Sequence, residues 1–120
     1  QRYPGHARNV LHVASSCAAG AYNGKWTVVV DDDIACSDID QVLWAMSTRF
    51  DPVTDIDVIQ KAWSSGRDPM FLPGNFNNRI LIDACMPYDR KLKGKFSTVV
   101  DVSPEMRAKL KTKWAKIFSN

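Results

Sequence analysis

The sequence is poor in the residues from which most catalytic sites are built. Its 13 acidic side chains are 12 Asp and a single Glu, Glu105. A site resting on a glutamate acid or base has almost nothing to draw on. Histidine is limited to His6 and His12, and cysteine to Cys17, Cys36 and Cys85, with no CxxC pair and no His at ligand spacing from a Cys. A structural zinc site therefore finds no support. Three cysteines cannot all pair within one chain, so reduced thiols in a cytoplasmic protein are expected. No apolar run approaches the ~20 residues of a membrane-spanning helix. The opening Gln1-Arg2-Tyr3-Pro4-Gly5 lacks the apolar core of a signal peptide. Internal repeats and low-complexity tracts are missing too.

What is present suits one ordinary domain. The chain has 120 residues, 45% of them hydrophobic and 24% charged, which argues for a packed core and against disorder. The net charge of +3 conceals a split. Residues 1–60 hold 4 basic and 8 acidic side chains, net −4, and residues 61–120 hold 12 and 5, net +7.

Periodicity sets out the elements. Val10, Leu11, Ala14, Cys17 and Ala18 share one helix face, with Gly20 as the expected stop. Residues 25–30 read as a strand apolar on both faces, closed by Asp31-Asp32-Asp33. Ser37 is the expected cap of a helix carrying Ile39, Val42, Leu43 and Met46 to about Arg49. A short strand follows at Ile56–Ile59, and this strand–helix–strand order predicts a right-handed crossover and parallel pairing. Residues 61–78 read as a long loop containing Trp63, Met70, Phe71, Leu72 and Phe76. Arg79–Asp83 is a third strand. Ser103-Pro104-Glu105 starts a terminal helix over 104–118 with an apolar stripe of Met106, Leu110, Trp114 and Ile117. The fold class expected is α/β or α+β, with a mostly parallel or mixed sheet, a crossover helix and a long C-terminal helix.

Four features carry possible chemistry. Asp31-Asp32-Asp33 ends a strand where open α/β sheets place ligands, and such oxygens suit Mg²⁺ or Mn²⁺. The plainer reading is strand termination and helix capping. His6 sits in an irregular segment beside Gly5, where functional residues concentrate. The lysine-rich C-terminal region resembles an ordinary solvated helix face more than a nucleic-acid surface, and no nucleic-acid partner is expected. Asp68-Pro69-Met70-Phe71-Leu72 offers an apolar wall for an aromatic or aliphatic ligand, or a plug for its own core.

Taken together, several runs resemble the C-terminal domain of the UbiD family. They are Arg2-Tyr3-Pro4-Gly5-His6-Ala7, then Lys25-Trp26-Thr27-Val28-Val29-Val30-Asp31-Asp32-Asp33-Ile34, then Asp40-Gln41-Val42-Leu43-Trp44-Ala45-Met46-Ser47-Thr48-Arg49 with Asp51-Pro52. Asp68-Pro69-Met70 and Ile82-Asp83-Ala84-Cys85-Met86-Pro87-Tyr88 complete the set.

The resemblance implies a reversible decarboxylase that uses prenylated FMN, with Mn²⁺ and K⁺, on an aromatic or α,β-unsaturated carboxylic acid. It implies that the catalytic Arg and two Glu, the metal ligands and a phosphate-binding Lys lie in N-terminal and flavin-binding domains outside this chain. The chain would then be a C-terminal piece or separate subunit, inactive and without cofactor by itself, partnered by the remainder of the decarboxylase and by further copies. The pocket-lining segments implied are Tyr3 with His6, and Met70, Phe71 and Leu72. Helix 104–118 would be a subunit contact. Two alternatives stand beside this: a Mn²⁺-dependent nucleotide-sugar transferase using Asp31 and Asp33, and a non-catalytic assembly module.

Overall fold

The computed structural model describes residues 1–70 and 72–115. Phe71 and Ile117 lie outside the described residues. In chain order the elements are α1 (His6–Ser16), α2 (Ala18–Asn23), β1 (Trp26–Val29), α3 (Ile39–Thr48), β2 (Ile56–Trp63), β3 (Phe76–Asp83), α4 (Tyr88–Leu92) and α5 (Pro104–Lys113). Among the described residues, no helix is long and apolar enough to cross a membrane.

The sheet is mixed, with strand order β1-β3-β2. β1 pairs with β3 in parallel, and β2 pairs with β3 antiparallel. The parallel pairing expected between the first two strands is thus corrected: β1 takes β3 as its partner, and β2 runs the other way on the far side. The loop Ser64–Asn75 explains this. Without a helix of its own it can only return the chain as a hairpin, which demands antiparallel pairing. The most apolar strand, with Ile80, Leu81 and Ile82, thereby gains the central place.

Both faces of the sheet are used. On one, Ile34, Ala45, Ile82 and Ala84 form a buried cluster joined by Val28, Val30, Val42, Met46, Phe50, Ile56 and Ile80. This packs α3 on the sheet. On the other, Leu81 and Arg79 alternate away from Ile80 and Ile82 and meet α1, whose Leu11 and Ser15 are buried.

The local boundaries moved in three places. The first helix ends at Ser16, because Cys17 is extended at φ −66, ψ 164. Gly20 is not a stop but lies inside α2, where a Cβ would come 2.0 Å from the Ala14 carbonyl oxygen. Its bare backbone lets α2 fold back on α1. Asp38, rather than Ser37, caps α3, accepting from the N–H groups of Asp40 and Gln41. The long loop is shorter than expected, since β2 continues to Trp63 and β3 begins at Phe76. Ser103 does cap α5, accepting from the Met106 N–H at 3.2 Å.

Candidate functional site

Because β1 and β3 are parallel, their carboxyl ends share one edge of the molecule. The segments following them, Asp31–Ile34 and Ala84–Tyr88, therefore meet. The N-terminal segment closes over this end. Tyr88 Oη donates to the Arg2 carbonyl at 3.0 Å, and Gln1 Nε2 donates to the Met86 carbonyl at 3.4 Å. A cleft of about 310 Å³ remains, walled by Pro4, Gly5, Arg8, Asp55, Asp83 and Tyr88.

Tyr3 and His6 stand together at this end. Their ring centroids are 4.6 Å apart. Gly5, at φ 79, turns the chain into α1 immediately before His6. The Arg2 N–H donates to His6 Nδ1 at 3.3 Å. Nδ1 is thus engaged as an acceptor, and Nε2 is the ring nitrogen left to meet a ligand. His6 offers that nitrogen beside an aromatic ring.

The aspartate run is occupied by an arginine. Arg49, at the end of α3, is fully buried, and its guanidinium grips Asp33 with two bonds of 2.8 and 2.5 Å. It also lies 3.7 Å from Asp31 and 5.2 Å from the Trp44 ring. Asp31 is buried, accepts from the Met86 N–H at 2.7 Å and sits 3.5 Å from Lys91. Burial pushes the Asp31 carboxyl up, but the Met86 N–H, the hydrogen bond from the Gln1 amino group at 3.2 Å and the Lys91 charge outweigh it and leave a net lowering. The hydrogen bonds from Arg49 hold Asp33 below the usual carboxylate range. Among the described residues, no three His, Cys, Asp or Glu side chains converge as a metal site. The donor set does not fit Mn²⁺, because its carboxylates already face cations and N–H groups.

Asp83 behaves oppositely. Burial, with Asp55 and Asp31 nearby, raises its carboxyl, although it accepts from the Cys85 N–H at 3.0 Å. Cys85 is buried beside it, and burial with the Asp83 charge pushes the thiol up to about 12. That thiol is inert at neutral pH.

Met70 and Leu72 sit elsewhere. The Met70 N–H donates to Asp68 Oδ1 at 2.9 Å, and Leu72 bridges Phe76, the first residue of β3. Asp83 and the cleft lie at the last residue of this eight-residue strand, ~22–24 Å away at strand rise. The structure therefore brings Tyr3 and His6 together and keeps Met70 and Leu72 at the opposite end of the sheet.

Sequence reasoning missed Arg49, Asp83 and Arg79 as organising residues. Arg49 had a signal, being the sole Lys or Arg between residues 26 and 60, a stretch holding 8 aspartates. Arg79 sits at an inward position of a buried strand, with Nε donating to Asn77 and its two Nη atoms donating to the carbonyls of Ser15, Ala21 and Trp63.

Comparison with known proteins gives a consistent picture. A family model described as the 3-octaprenyl-4-hydroxybenzoate carboxy-lyase C-terminal domain matches residues 1–84. The vanillic acid decarboxylase of Sedimentibacter hydroxybenzoicus in its open form is similar, with 25% identity and a TM-score of 0.76 over 100% of this chain and 26% of that one. HmfF of Pelotomaculum thermopropionicum, a UbiD-class enzyme solved with FMN, shares the fold at a TM-score of 0.73 and 24% identity, over 88% of this chain and 23% of that one. A protein of Archaeoglobus fulgidus is 29% identical over 118 residues, which is 98% of this chain and 24% of that protein. The chain spans about a quarter of the length of these relatives.

Proposed function

The chain belongs to the UbiD family as its C-terminal domain, and on that premise we propose that it walls the substrate pocket of a prenylated-FMN-dependent decarboxylase. The substrate proposed is an aromatic or α,β-unsaturated carboxylic acid. The single observation that supports this most is the Tyr3–His6 pair, ring centroids 4.6 Å apart, flanking the Pro4-Gly5 wall of an open cleft at the carboxyl end of the parallel strands.

A bound prenylated flavin supplies an electron sink for loss of the carboxylate. The residues of this chain do the positioning. Tyr3 gives an apolar face to a planar substrate, and His6 Nε2 hydrogen-bonds to one of its oxygens. Closure of the domain over the remainder of the enzyme excludes water around them. Mn²⁺, K⁺ and the flavin phosphate fall, in this reading, to the remainder of the enzyme. The chain alone is then inactive. The setting proposed is cytoplasmic, in a homo-oligomer that uses the terminal helix as a subunit contact.

Met70, Phe71 and Leu72 belong to the proposal as a second, apolar wall. The length of β3 separates it from His6 by far more than a small aromatic acid can span. The two walls can meet one substrate only across an interface with another part of the assembly. In the complete enzyme, Met70→Ala is expected to shift the ratio of kcat/KM between bulky and small acids by ~5–150-fold, the range of ~1–3 kcal/mol for a methylene-sized change. An unchanged ratio in a folded enzyme removes Met70 from the pocket. His6→Ala is expected to raise KM for the same acids, and an unaltered KM and kcat would refute its contact. CO₂ release by this chain alone, given prenylated FMN and Mn²⁺, would overturn the division of labour.

A further inference from the structure

We propose that Tyr88 is a positioning residue for His6, acting through the backbone of the turn that carries Tyr3 and His6. The inference rests on the pocket-wall reading of that pair and adds what holds it in place.

The turn makes its own shape. The His6 N–H donates to the Tyr3 carbonyl at 3.2 Å. Pro4 and Gly5 fill the two central positions, and Gly5 has φ 79 and ψ 3. These are the residues and angles of a type II turn, in which proline presets the first central position and glycine accepts the positive φ of the second. A Cβ on Gly5 would meet nothing within 4 Å, so the glycine answers to backbone angle and not to packing. Where the turn sits is a separate matter. Buried Ala7 seats its helix side. Arg2, Tyr3, Pro4 and Gly5 are all exposed, so the other side depends on polar ties.

Tyr88 supplies the tie. Its Oη donates to the Arg2 carbonyl at 3.0 Å, an oxygen of the peptide unit that joins Arg2 to Tyr3. On the other side of the Arg2 Cα, the N–H donates to His6 Nδ1 at 3.3 Å. The backbone of one residue thus receives the phenol and presents a donor to the imidazole. Gln1 adds two bonds, from its amino group to Asp31 Oδ1 at 3.2 Å and from Nε2 to the Met86 carbonyl at 3.4 Å, but these hold the residue ahead of the turn. Among the described residues, Tyr88 is the one side chain from beyond the turn that bonds to the backbone of residues 2–6.

The phenol stands on firm ground. Tyr88 opens α4, and the Lys91 N–H closes the first turn of that helix on the Pro87 carbonyl at 2.9 Å. Two residues earlier, the Met86 N–H donates to buried Asp31 at 2.7 Å. The line of support therefore runs from the core through Asp31, Met86 and Tyr88 to Arg2 and His6.

A turn freed from Tyr88 still forms, but it samples placements in which His6 misses the ligand. Apparent affinity then falls by the fraction of molecules still in place, whereas a molecule that has bound keeps the wild-type geometry. KM rises and kcat does not. For one hydrogen bond of ordinary net worth, the rise is about two- to tenfold.

The test uses the complete enzyme with Tyr88→Phe, which keeps the ring and removes the donor. Hydrogen-exchange mass spectrometry is expected to show faster exchange of the amides in residues 2–6, with β3 and α3 at wild-type rates as the control for folding. KM is expected to rise about two- to tenfold at unchanged kcat. In a His6→Ala background, Tyr88→Phe is expected to add less than about twofold, because the residue it acts through is gone. Wild-type exchange across residues 2–6 overturns the proposal. So does an unchanged KM in Tyr88→Phe when His6→Ala raises it. A full KM effect that persists in the His6→Ala background makes Tyr88 a substrate contact and also overturns it. A wild-type KM in His6→Ala itself sinks the pocket-wall reading and the positioning role together, and is told apart from failure of the tie alone, in which His6→Ala still raises KM.

Discussion

Two buried arginines, Arg49 beyond the carboxyl end of β3 and Arg79 at its middle with its guanidinium turned toward the hairpin, solve the same problem differently. At the carboxyl end, Arg49 is met by carboxylates, Asp33 directly and Asp31 at 3.7 Å. On the hairpin side, Arg79 is met by neutral groups only: the Asn77 side chain and the carbonyls of Ser15, Ala21 and Trp63. The carbonyl solution ties the ends of α1, α2 and β2 to the central strand through one planar donor group. It locks backbone in place. The carboxylate solution fixes a loop beside an open cleft and makes that end sensitive to pH. The Tyr3–His6 end is therefore held together by buried charge, whereas Arg79 is a neutral-partner scaffold, with the one lowered carboxyl near it, Asp68, set by the Met70 N–H and Lys25 rather than by Arg79.

The largest expected effect breaks the scaffold. Arg79→Met removes the guanidinium donors to three carbonyls and one amide oxygen in a nearly closed site. Buried acceptors left unsatisfied cost ~1–3 kcal/mol each, with part recovered by water entry. A loss of about 4 kcal/mol in urea unfolding is expected. Arg79→Lys should recover little, because one ammonium cannot reproduce the fork. A loss under about 1 kcal/mol would mean the carbonyls find water readily and the hub is ornamental.

Arg49→Met is expected to cost less, about 2–3 kcal/mol. Breaking a buried pair typically costs ~3–5 kcal/mol, but Asp33 is half exposed and rehydrates, and Asp31 keeps Lys91 and the Met86 N–H. Its signature is in pH. Asp31 and Asp33 both have lowered carboxyls in the folded chain. A lowered carboxyl contributes stability that is fully present above its unfolded value, ~3.9, and is lost as pH falls through the folded value. The acid limb of wild type therefore lies below about pH 4, and Arg49→Met should remove the share of it that Asp33 supplies while leaving that of Asp31. Arg79→Met should leave its slope unchanged. Equal slopes in both variants would dissolve the contrast between the two arginines.

The same contrast explains what was legible beforehand. α5 begins where Ser103-Pro104 says it should, because capping is settled within four residues. β1 and β3 follow from local runs of Val, Ile and Leu. The order β1-β3-β2 was not local. It depends on a hairpin loop and on which strand is most apolar, so strand–helix–strand order pointed to the wrong neighbour. Asp31–Asp33 was legible as a strand end carrying charge but not as the partner of Arg49, because the two are joined only through the packing of α3. The separation of Met70 from His6 is equally non-local. Both segments read as ligand-facing from their residues, and nothing in either sets the length of β3 between them.

The smallest expected effect tests the carboxyl end from the opposite sign. Asp83 lies at the last position of β3, with its carboxyl raised by burial and by the charges of Asp55 and Asp31. A raised carboxyl favours folding below its unfolded value, and that advantage is lost as pH rises through the folded value. At neutral pH its ionised form is therefore a net burden. Asp83→Asn removes the charge and keeps an oxygen to accept the Cys85 N–H, now made at 3.0 Å. A gain of about 0.5–1 kcal/mol at pH 7 is expected, within the range for relieving an unfavourable charge, shrinking toward zero by pH 4 as wild-type Asp83 protonates. Thermal unfolding at the two pH values measures it. A variant less stable than wild type at pH 7 would mean that the Asp83 carboxylate is held by a favourable partner, and that the cleft beside Tyr3 and His6 is less acidic than its three carboxylates, Asp55, Asp83 and Asp89, suggest.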